Sequence, residues 1–317
     1  MTQKYKVLIS APYFQPVVGQ YLKVFDEHHI ELVVPSVNER LTEAELLALP
    51  EIGEIDGIIA GDDQITLKVL DAAKKLKVVS KWGTGIDSMK GACAERGIPV
   101  KNTVNAFTLP VADTVMSYVL NFARRHAEMD RAMKAGSWEK LPGRSLDECT
   151  IGVIGVGNCG KAILRRARAF GMKLIGHDIR KIEPDFIAEN RVNMVRHLPH
   201  LLGAADFVSV NCDLSESSYH LLNDAAFQVM RRSAILINAA RGPLVDEQAL
   251  IWALENNIIA GAALDVFEVE PLPLDSPLRK MDNVMLAPHN ANSSPAAWER
   301  VHENTLKNLL DVLLASA

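Results

Sequence analysis

The sequence predicts an α/β protein of two domains, each built around a parallel sheet that is covered by helices on both faces. Short runs rich in β-branched residues alternate with helix-like segments along most of the chain, which is the pattern of consecutive strand–helix–strand units. Two such series follow one another and are separated by a long apolar segment with helical periodicity. The length of 317 residues exceeds one ordinary domain and suits two.

The first series contains five predicted strands and three predicted helices. Thr66 is suited to cap the N-terminus of the second helix, and Gly97 is suited to end the third. The predicted strands are Lys6–Ser10, Ile30–Val34, Gly57–Ala60, Val78–Lys81 and Ile98–Lys101, and the predicted helices are Glu43–Leu49, Leu67–Leu76 and Met89–Arg96.

The segment between the two series predicts one helix over residues 108–134. Thr108 can cap this helix, and Pro110 suits its first turn. Its apolar residues cover more than one face, so we expect it to be buried on several sides. Either it packs only between the two domains, or one face also packs against a second subunit. Both arrangements stay open, and the homodimer that we expect would use this helix.

The second series contains six predicted strands, which match the two halves of a doubly wound dinucleotide-binding domain. A last helix, over about residues 295–314, follows the six strands, and we expect it to return to the first domain. The six strands are Ile151–Ile154, Lys173–His177, Phe207–Asn211, Ile235–Asn238, Ala260–Leu264 and Val284–Ala287.

A glycine motif follows the first strand of this second series. The run Gly155-Val-Gly157-Asn-Cys-Gly160 has the spacing GxGxxG, with a hydrophobic strand before it and an amphipathic helix after it. In that setting Gly155 permits the tight turn, Gly157 lets the backbone approach a pyrophosphate, and Gly160 lets the helix press against the strand. The N–H groups that begin the helix can then bind the phosphates of a dinucleotide.

Asp178 comes about 20 residues after the glycine motif, at the end of the next predicted strand. A carboxylate at this position accepts hydrogen bonds from a ribose 2′-hydroxyl and repels a 2′-phosphate. The sequence therefore predicts NAD as the cofactor in preference to NADP. Arg180 and Lys181 follow closely and would favour the phosphate instead, and Asp178 could alternatively be a solvated loop charge.

Polar side chains follow three further strands of the second series. Arg241 comes after the fourth strand, Asp265 and Glu270 after the fifth, and His289 after the sixth. Each has an ordinary structural explanation when it is taken alone. Because ligands of open parallel sheets bind beyond the carboxyl ends of the strands, three strand ends with such groups predict an active site at this edge.

These segments make the sequence recognisable. It resembles the D-isomer-specific 2-hydroxyacid dehydrogenases and, within them, the phosphoglycerate-dehydrogenase-like branch. The segments that carry the resemblance are Gly83-Thr-Gly-Ile-Asp87, Val111-Ala-Asp113, Gly155–Gly160, Asn238-Ala-Ala-Arg-Gly242-Pro-Leu-Val-Asp246, Ala263-Leu-Asp-Val-Phe-Glu-Val-Glu-Pro271 and Ala287-Pro-His289.

The resemblance implies hydride transfer between NAD and a small D-2-hydroxy or 2-keto acid. It implies a doubly wound NAD-binding domain over residues 103–289, inserted into a flavodoxin-like substrate domain of residues 1–102 and 290–317, with the active site in the cleft between them. The implied catalytic residues are Arg241, Glu270 and His289; the cofactor-binding residues are Gly155, Gly157, Asn158, Cys159, Gly160, Asp178, Cys212, Ala239 and Asp265; the substrate-binding residues are Gly83, Thr84, Gly85 and Arg241.

The implied roles agree with the chemistry of the side chains. A histidine such as His289 can give a proton to the keto oxygen and take it back, because its ordinary pKa lies near 6.5. Glu270 would bind the other ring nitrogen, fix the tautomer and favour the imidazolium. The planar fork of Arg241 suits a substrate carboxylate. Asp265 would contact the nicotinamide end, and the turn Gly83-Thr84-Gly85 would present backbone N–H groups to the carboxylate.

The chain departs from the usual family pattern at three places. A glycine-rich run often follows the catalytic histidine, where this chain has Asn290-Ala-Asn-Ser-Ser294. A His-x-Pro segment is replaced by Asn211-Cys-Asp213, and a Pro-Gly-Ala-Asn segment by Val104-Asn-Ala-Phe107. The first two departures affect the expected nicotinamide pocket and leave the catalytic trio unchanged.

Three other interpretations compete with the dehydrogenase. A corepressor-type protein of the same fold could bind NAD as a sensor. Formate or phosphite oxidation is a second alternative, but formate enzymes of this fold typically have glutamine where this chain has Glu270. A zinc site at His197 and His200 is the weakest, because no cysteine or further histidine is near in sequence, and we expect no metal.

The composition places limits on partners and location. The chain is 48% hydrophobic and 23% charged with a net charge of −5, so neither nucleic acid nor an acidic membrane is an expected partner. No apolar run approaches the ~18 residues of a membrane-spanning helix. Four scattered cysteines and the absence of a basic-then-apolar leader predict reduced thiols and a cytoplasmic location.

The sequence also bears on whether the substrate is phosphorylated. A phosphorylated hydroxy acid needs cations at the far end of its pocket. In the family an arginine often follows the third strand of the first domain, where this chain has Gly61-Asp62-Asp63-Gln64. Two carboxylates there would repel a phosphate, so we expect a non-phosphorylated substrate.

Overall fold

The computed structural model describes residues 4–315, which divide into two compact units. Residues up to Phe107 and from Ser294 onward form the first unit, and Thr108–Ser293 form the second. The sequence-based boundaries, after residues 102 and 289, stay a prediction. No helix among residues 4–315 combines the length and the apolar character that crossing a membrane requires.

The first unit contains a five-stranded parallel sheet in the order β2-β1-β3-β4-β5. A 3-10 turn, Gln15–Tyr21, and the helix that follows it were not predicted. Thr66 caps its helix as predicted, because its hydroxyl accepts the Val69 N–H. The strands are β1 Tyr5–Ile9, β2 Ile30–Val33, β3 Gly57–Ala60, β4 Val78–Lys81 and β5 Val100–Lys101; the helices are α1 Leu22–Glu27, α2 Glu43–Leu47, α3 Leu67–Ala72 and α4 Lys90–Glu95.

The predicted 108–134 helix is wrong as a single helix. The structure has α5 Thr108–Arg124 and α6 His126–Lys134, with Arg125 between them in the left-handed region at φ 55°. The helix cannot continue because the Ala123 carbonyl accepts the Arg144 N–H at 2.7 Å instead of an N–H one turn ahead. The Ala127 N–H donates to the Asn121 side chain, 2.9 Å away, and α6 begins there.

The buried face of α5 packs inside the second unit. Ala112, Val115 and Val119 are fully buried in one core with residues of the sheet and of α7 (Asn158–Ala169). No residue of α6 is buried. Much of the apolar coverage that predicted burial on several sides is therefore satisfied within the unit.

The second unit contains a seven-stranded parallel sheet in the order β12-β11-β10-β9-β6-β7-β8, with apolar cores on both faces. Six of its strands were predicted, and the two-residue β8 was not. The strands are β6 Thr150–Ile154, β7 Lys173–His177, β8 Asn193–Met194, β9 Phe207–Val210, β10 Ile235–Asn238, β11 Gly261–Leu264 and β12 Val284–Leu286; the remaining helices are α8 Pro184–Asn190, α9 Leu198–Ala204, α10 Asp224–Val229 and α11 Glu247–Glu255.

The C-terminal helix α12, Pro295–Leu313, belongs to the first unit, as predicted. Its Leu309 side chain lies against β3, where a β-carbon on Gly57 would come within 2.8 Å of it. The Ser80 hydroxyl of β4 donates to the Thr305 carbonyl at 2.7 Å. Helix α12 therefore covers one face of the first sheet.

Candidate active site

The glycine motif forms a turn that has no room for a side chain at Gly155 or Gly160. Gly155 has φ +86°, and a β-carbon there would lie 2.6 Å from the Cys212 nitrogen. A β-carbon on Gly160 would overlap the Gly155 carbonyl oxygen. Gly157 caps α7, and a β-carbon on it would meet only the Arg180 guanidinium, at 3.4 Å. The helix start thus lies tight against the strand end with its N–H groups directed outward, a cradle that fits a pyrophosphate.

Asp178 lies at the end of β7, beside this turn. It accepts hydrogen bonds from the Val156 and Arg180 N–H groups, both at 2.8 Å, and its side chain is 3% exposed. Burial opposes its ionisation, but these bonds and the Arg180 guanidinium outweigh burial and keep the pKa of Asp178 below its ordinary value. A charged carboxylate therefore lies where a ribose 2′-hydroxyl is expected.

The other predicted cofactor residues lie along the same edge of the second sheet. Asn158 and Cys159 are the first two residues of α7, Cys212 follows β9, and Ala239 follows β10. Burial raises the pKa of the Cys212 thiol to about 11, so it stays protonated at neutral pH. The structure brings these residues to one edge, and their contacts with NAD stay a prediction.

His289 and Glu270 form the central contact of the site. The His289 Nδ1 atom lies 2.9 Å from Glu270 Oε2, while Glu270 Oε1 accepts the Phe267 N–H at 3.0 Å. Both side chains are partly buried. One carboxylate thus orients the imidazole and also fixes its own loop.

Asp265 holds the loop that carries His289. It is 1% exposed, its two carboxylate oxygens accept the Asn290 and Ala291 N–H groups at 2.8 Å, and its carbonyl accepts the His289 N–H at 2.7 Å. Burial raises the pKa of Asp265 against the effect of the two hydrogen bonds. His289 itself has φ +51°, and these three bonds hold it in that left-handed conformation. The predicted contact of Asp265 with nicotinamide stays a prediction.

Arg241 is held by the turn after β10. The Asn238 side chain donates to the Arg241 carbonyl and accepts the Ala240 N–H, at 2.8 and 3.1 Å. The Arg241 guanidinium donates to the Ala240 carbonyl at 2.8 Å. The next residue, Gly242, lies directly on the backbone after β11. The second unit therefore brings the loops of all three predicted catalytic residues to one edge of its sheet.

The predicted substrate turn lies in the first unit, directly after β4. Gly83 has φ +124°, and its carbonyl accepts the Thr103 N–H at 2.9 Å. The Thr84 carbonyl accepts the Asn102 side-chain amide at 2.5 Å. The turn, which ends with Gly85, is thus fixed from the segment after β5, and its role toward a substrate stays a prediction.

The comparison with known proteins supports one family. Residues 116–291 match the family model described as the NAD-binding domain of D-isomer-specific 2-hydroxyacid dehydrogenases. The chain belongs to this family. The dehydrogenase is 40% identical to a glyoxylate reductase of Thermofilum pendens over 259 residues, which cover 79% of this chain and 76% of the relative. It is 37% identical to a D-3-phosphoglycerate dehydrogenase of Methanocaldococcus jannaschii, over 81% of this chain and 49% of that protein.

A solved structure shows the same fold. The dehydrogenase is similar to a D-lactate dehydrogenase of Aquifex aeolicus, complexed with NAD and lactic acid, with a TM-score of 0.85 and 25% identity. The match covers 96% of this chain and 93% of the lactate enzyme. The predicted family, the two parallel-sheet α/β domains, the NAD cofactor and the oxidoreduction of hydroxy and keto acids are confirmed.

Two features of the dehydrogenase were missed by the sequence analysis. Lys81, at the end of β4, is 5% exposed and lies 3.2 Å from Asp62 Oδ1; a lysine inside a buried strand was the available signal. The second feature is a group of His220, Asp246 and Glu268, whose ligand-type atoms lie within 4.8 Å of one another. No sequence pattern joins these three residues. The rings of His197 and His200, the weak zinc alternative, lie edge to face at 5.7 Å.

Proposed function

We propose that the protein reduces small, non-phosphorylated 2-keto acids with NADH and oxidises the matching D-2-hydroxy acids, with His289 as the general acid and base. The observation that carries this proposal is the 2.9 Å contact between His289 and Glu270, beside the turn that holds Arg241. This arrangement places a proton donor, His289, and an anion-binding guanidinium, that of Arg241, at one edge of the sheet.

The roles of the side chains follow from their contacts. Because Glu270 occupies Nδ1 of His289, the proton that moves is the one on Nε2, and reduction transfers it to the keto oxygen. The chemistry that bound NADH supplies is a hydride for the carbonyl carbon. Arg241 would hold the substrate carboxylate with two parallel hydrogen bonds and orient the carbonyl toward His289. In oxidation, His289 takes the proton back.

The preference for NADH over NADPH is assigned to Asp178. Its charge and its position beside the glycine turn support a hydrogen bond to the ribose 2′-hydroxyl and disfavour a 2′-phosphate. The Arg180 guanidinium lies 3.3 Å from Asp178, so its charge is offset by the same carboxylate.

A non-phosphorylated substrate is supported by the loop after β3, although not by both of its carboxylates. Asp63 is fully buried and accepts hydrogen bonds from the Ser10 hydroxyl and from the Leu41 and Gly61 N–H groups, so it braces the fold and cannot repel a substrate. Asp62 is partly exposed and pairs with Lys81 at 3.2 Å. The charge of this lysine is thereby offset, and a phosphate would meet Asp62 beside it.

The test compares kcat/KM for glyoxylate, hydroxypyruvate and 3-phosphohydroxypyruvate, by the loss of NADH absorbance. We expect turnover of the first two and at least tenfold lower kcat/KM for the phosphorylated acid. A clear preference for 3-phosphohydroxypyruvate would reject the substrate class, and no turnover of any keto acid would reject the proposed reaction.

We also propose a homodimer and a cytoplasmic location. Leu109 of α5 and Met133 of α6 expose apolar side chains, and Trp138, shortly after α6, is 84% exposed. Contact with a second copy would cover these residues. Light scattering that shows a 34.8 kDa particle at micromolar concentration would contradict the dimer.

The free thiols of all four cysteines support a reducing compartment, as expected for the proposed cytoplasmic location.

A further inference from the structure

His220 belongs to the loop that follows β9. Its side chain lies between two carboxylates from other segments. Its Nε2 atom is 2.8 Å from Glu268 Oε1, and its Nδ1 atom is 3.6 Å from Asp246 Oδ2. The ring of Tyr219 stacks on the imidazole, with centroids 4.0 Å apart and planes inclined by 15°. The two carboxylates therefore contact opposite nitrogens of one imidazole.

The two acidic segments are also bonded to each other. The Glu247 N–H donates to Glu268 Oε1 at 3.0 Å, and the Glu268 N–H donates to Glu247 Oε2 at 3.2 Å. Burial, followed by the nearby charge of Glu268, raises the pKa of Glu247. This reciprocal pair joins the start of α11 to the loop after β11, and the His220 imidazole contacts Glu268 beside it.

Backbone bonds connect the same loop to the turn of Arg241. The His220 N–H donates to the Pro243 carbonyl at 2.8 Å, and the Leu222 N–H to the Leu244 carbonyl at 3.1 Å. Gly242, next to Arg241, lies against the backbone of residues 267 and 268. Glu268 is two residues from Glu270, which binds His289. A displacement of Glu268 would therefore shift the supports of both Arg241 and Glu270.

We propose that His220 is a positioning residue for the dehydrogenase reaction: through Glu268 it holds the Arg241 turn and the Glu270 loop in register. This inference rests on the proposed function of Arg241, Glu270 and His289. His220 itself is not expected to touch substrate or cofactor. Its contribution is the fixed spacing of the anion-binding fork and the proton donor, and a misplacement of about 1 Å can cost about 10²-fold in rate.

A divalent metal is the competing explanation for this group, and the geometry favours direct contacts between the imidazole and the carboxylates. A metal ion would need ligand atoms that converge on one point. The nearest carboxylate oxygens lie instead beside different nitrogens of the imidazole, Glu268 at Nε2 and Asp246 at Nδ1. Asp246 Oδ1 also accepts the Ala249 N–H as the cap of α11, and Glu268 Oε1 accepts the Glu247 N–H.

Three variants separate the two sides of the imidazole. His220→Leu removes both contacts, His220→Gln places an amide near the position of Nε2, and His220→Asn places one near Nδ1. His220 has φ +48°, a conformation that asparagine tolerates better than glutamine. Recovery by glutamine but not by asparagine would therefore identify the Glu268 contact and could not reflect backbone preference. The same substitutions at His29, which is exposed and has φ +54°, are the matched control.

The readouts are kcat and KM for glyoxylate, the Kd of NADH from its fluorescence, and hydrogen exchange of residues 241–247 and 266–270. We expect His220→Leu to lower kcat at least tenfold, to leave the Kd of NADH within twofold and to speed exchange in both segments. Glutamine should recover most of the lost kcat, and the His29 variants should equal the parent enzyme.

Several results would overturn the proposal. These are an unchanged kcat in His220→Leu, equal recovery by asparagine and glutamine, or a parallel loss of NADH binding. A parent enzyme that loses activity with EDTA and regains it with Zn²⁺, while His220→Leu does not respond, would establish the metal site instead. If the parent reduces no keto acid, the proposed function fails, and unchanged exchange in both segments would separately reject the positioning role.

Discussion

Gly242 and Phe267 are in direct backbone contact, so close that a β-carbon on the glycine would overlap the Phe267 carbonyl oxygen. The contact joins the turn after β10 to the loop after β11, and these two segments carry Arg241 and Glu270. Gly242 does not have a positive φ, so its backbone conformation does not require glycine. Glycine is required at this position because the two active-site loops approach each other so closely.

Gly242→Ala should separate the two loops. We expect a loss of about 3 kcal/mol in the free energy of unfolding, because the clash is with backbone that cannot rotate away. For the fraction of the protein that folds, kcat should fall by about 10²-fold, because the loops that carry Arg241 and Glu270 both move. Urea denaturation and steady-state kinetics measure these effects.

The control for this substitution is Gly91→Ala. Gly91 lies in α4, and a β-carbon there meets no atom within 4 Å. Alanine at this helical position should raise stability by about 0.5–1 kcal/mol and leave kcat unchanged. If Gly242→Ala behaved like this control, the tight contact with Phe267 would not exist in solution.

His289→Gln should remove most turnover and leave NADH binding nearly intact. The glutamine amide can occupy the space of the imidazole but cannot transfer a proton. General acid–base catalysis contributes about 10²–10⁴-fold to the rate. Kinetics with glyoxylate and NADH fluorescence titration give the two quantities. His200→Gln, on the exposed surface of α9, should have no effect on either. A near-normal kcat in His289→Gln would exclude the proposed proton transfer.

Asp178→Asn should weaken the preference for NADH. The amide keeps an acceptor for one of the N–H groups that Asp178 binds, but the negative charge that opposes a 2′-phosphate is lost. We expect the ratio of kcat/KM for NADH to that for NADPH to fall at least tenfold, and Asp185→Asn on α8 to leave it unchanged. A parent enzyme that uses both cofactors equally would show that Asp178 has no such role.

His302→Gln should change how stability depends on pH. The Trp82 indole N–H donates to His302 Nδ1 at 2.9 Å, and burial lowers the pKa of this histidine below 6.5. As the pH falls from 6.5 toward the lowered value, the unfolded chain binds a proton before the folded chain does, so the free energy of unfolding decreases. Glutamine does not titrate, so the pH-dependent part of the difference in stability between the two proteins belongs to His302.

Denaturation of both proteins at several pH values provides the comparison for His302. The parent should lose stability relative to His302→Gln as the pH drops through this window, and the difference should be constant above it. Contributions of the other histidines cancel in the difference. An identical pH dependence of the two proteins would show that the folded and unfolded states bind this proton equally.

The features that the sequence predicted correctly depend on local rules. Gly155 and Gly160 occupy positions where the turn itself leaves no room for a β-carbon, so their spacing and flanking pattern reveal them. The strands of both sheets other than β8 were found because a buried parallel strand is a continuous apolar run. The contact of Glu270 with His289 followed from the family resemblance, and the structure places the two side chains together.

The features that the sequence did not predict depend on contacts between distant residues. The break at Arg125 exists because Arg144 takes the Ala123 carbonyl, which no helical periodicity reveals. β8 has only two residues, too few for a pattern. Asp63 was predicted to face the substrate and repel a phosphate. It is instead buried by hydrogen-bond partners that are distant in the sequence. The contacts of His220 with Asp246 and Glu268 likewise join residues that are separated by more than twenty positions.

The position of α12 has a consequence for the order in which the chain folds during synthesis. When residue 293 has left the ribosome, every strand and helix of the second unit is available, so that unit can close its sheet at once. The first unit was synthesised earlier, but one face of its sheet still lacks Thr305 and Leu309, which cover β3 and β4. The unit whose sheet is synthesised earlier must therefore wait for α12, with apolar strands exposed in the interval.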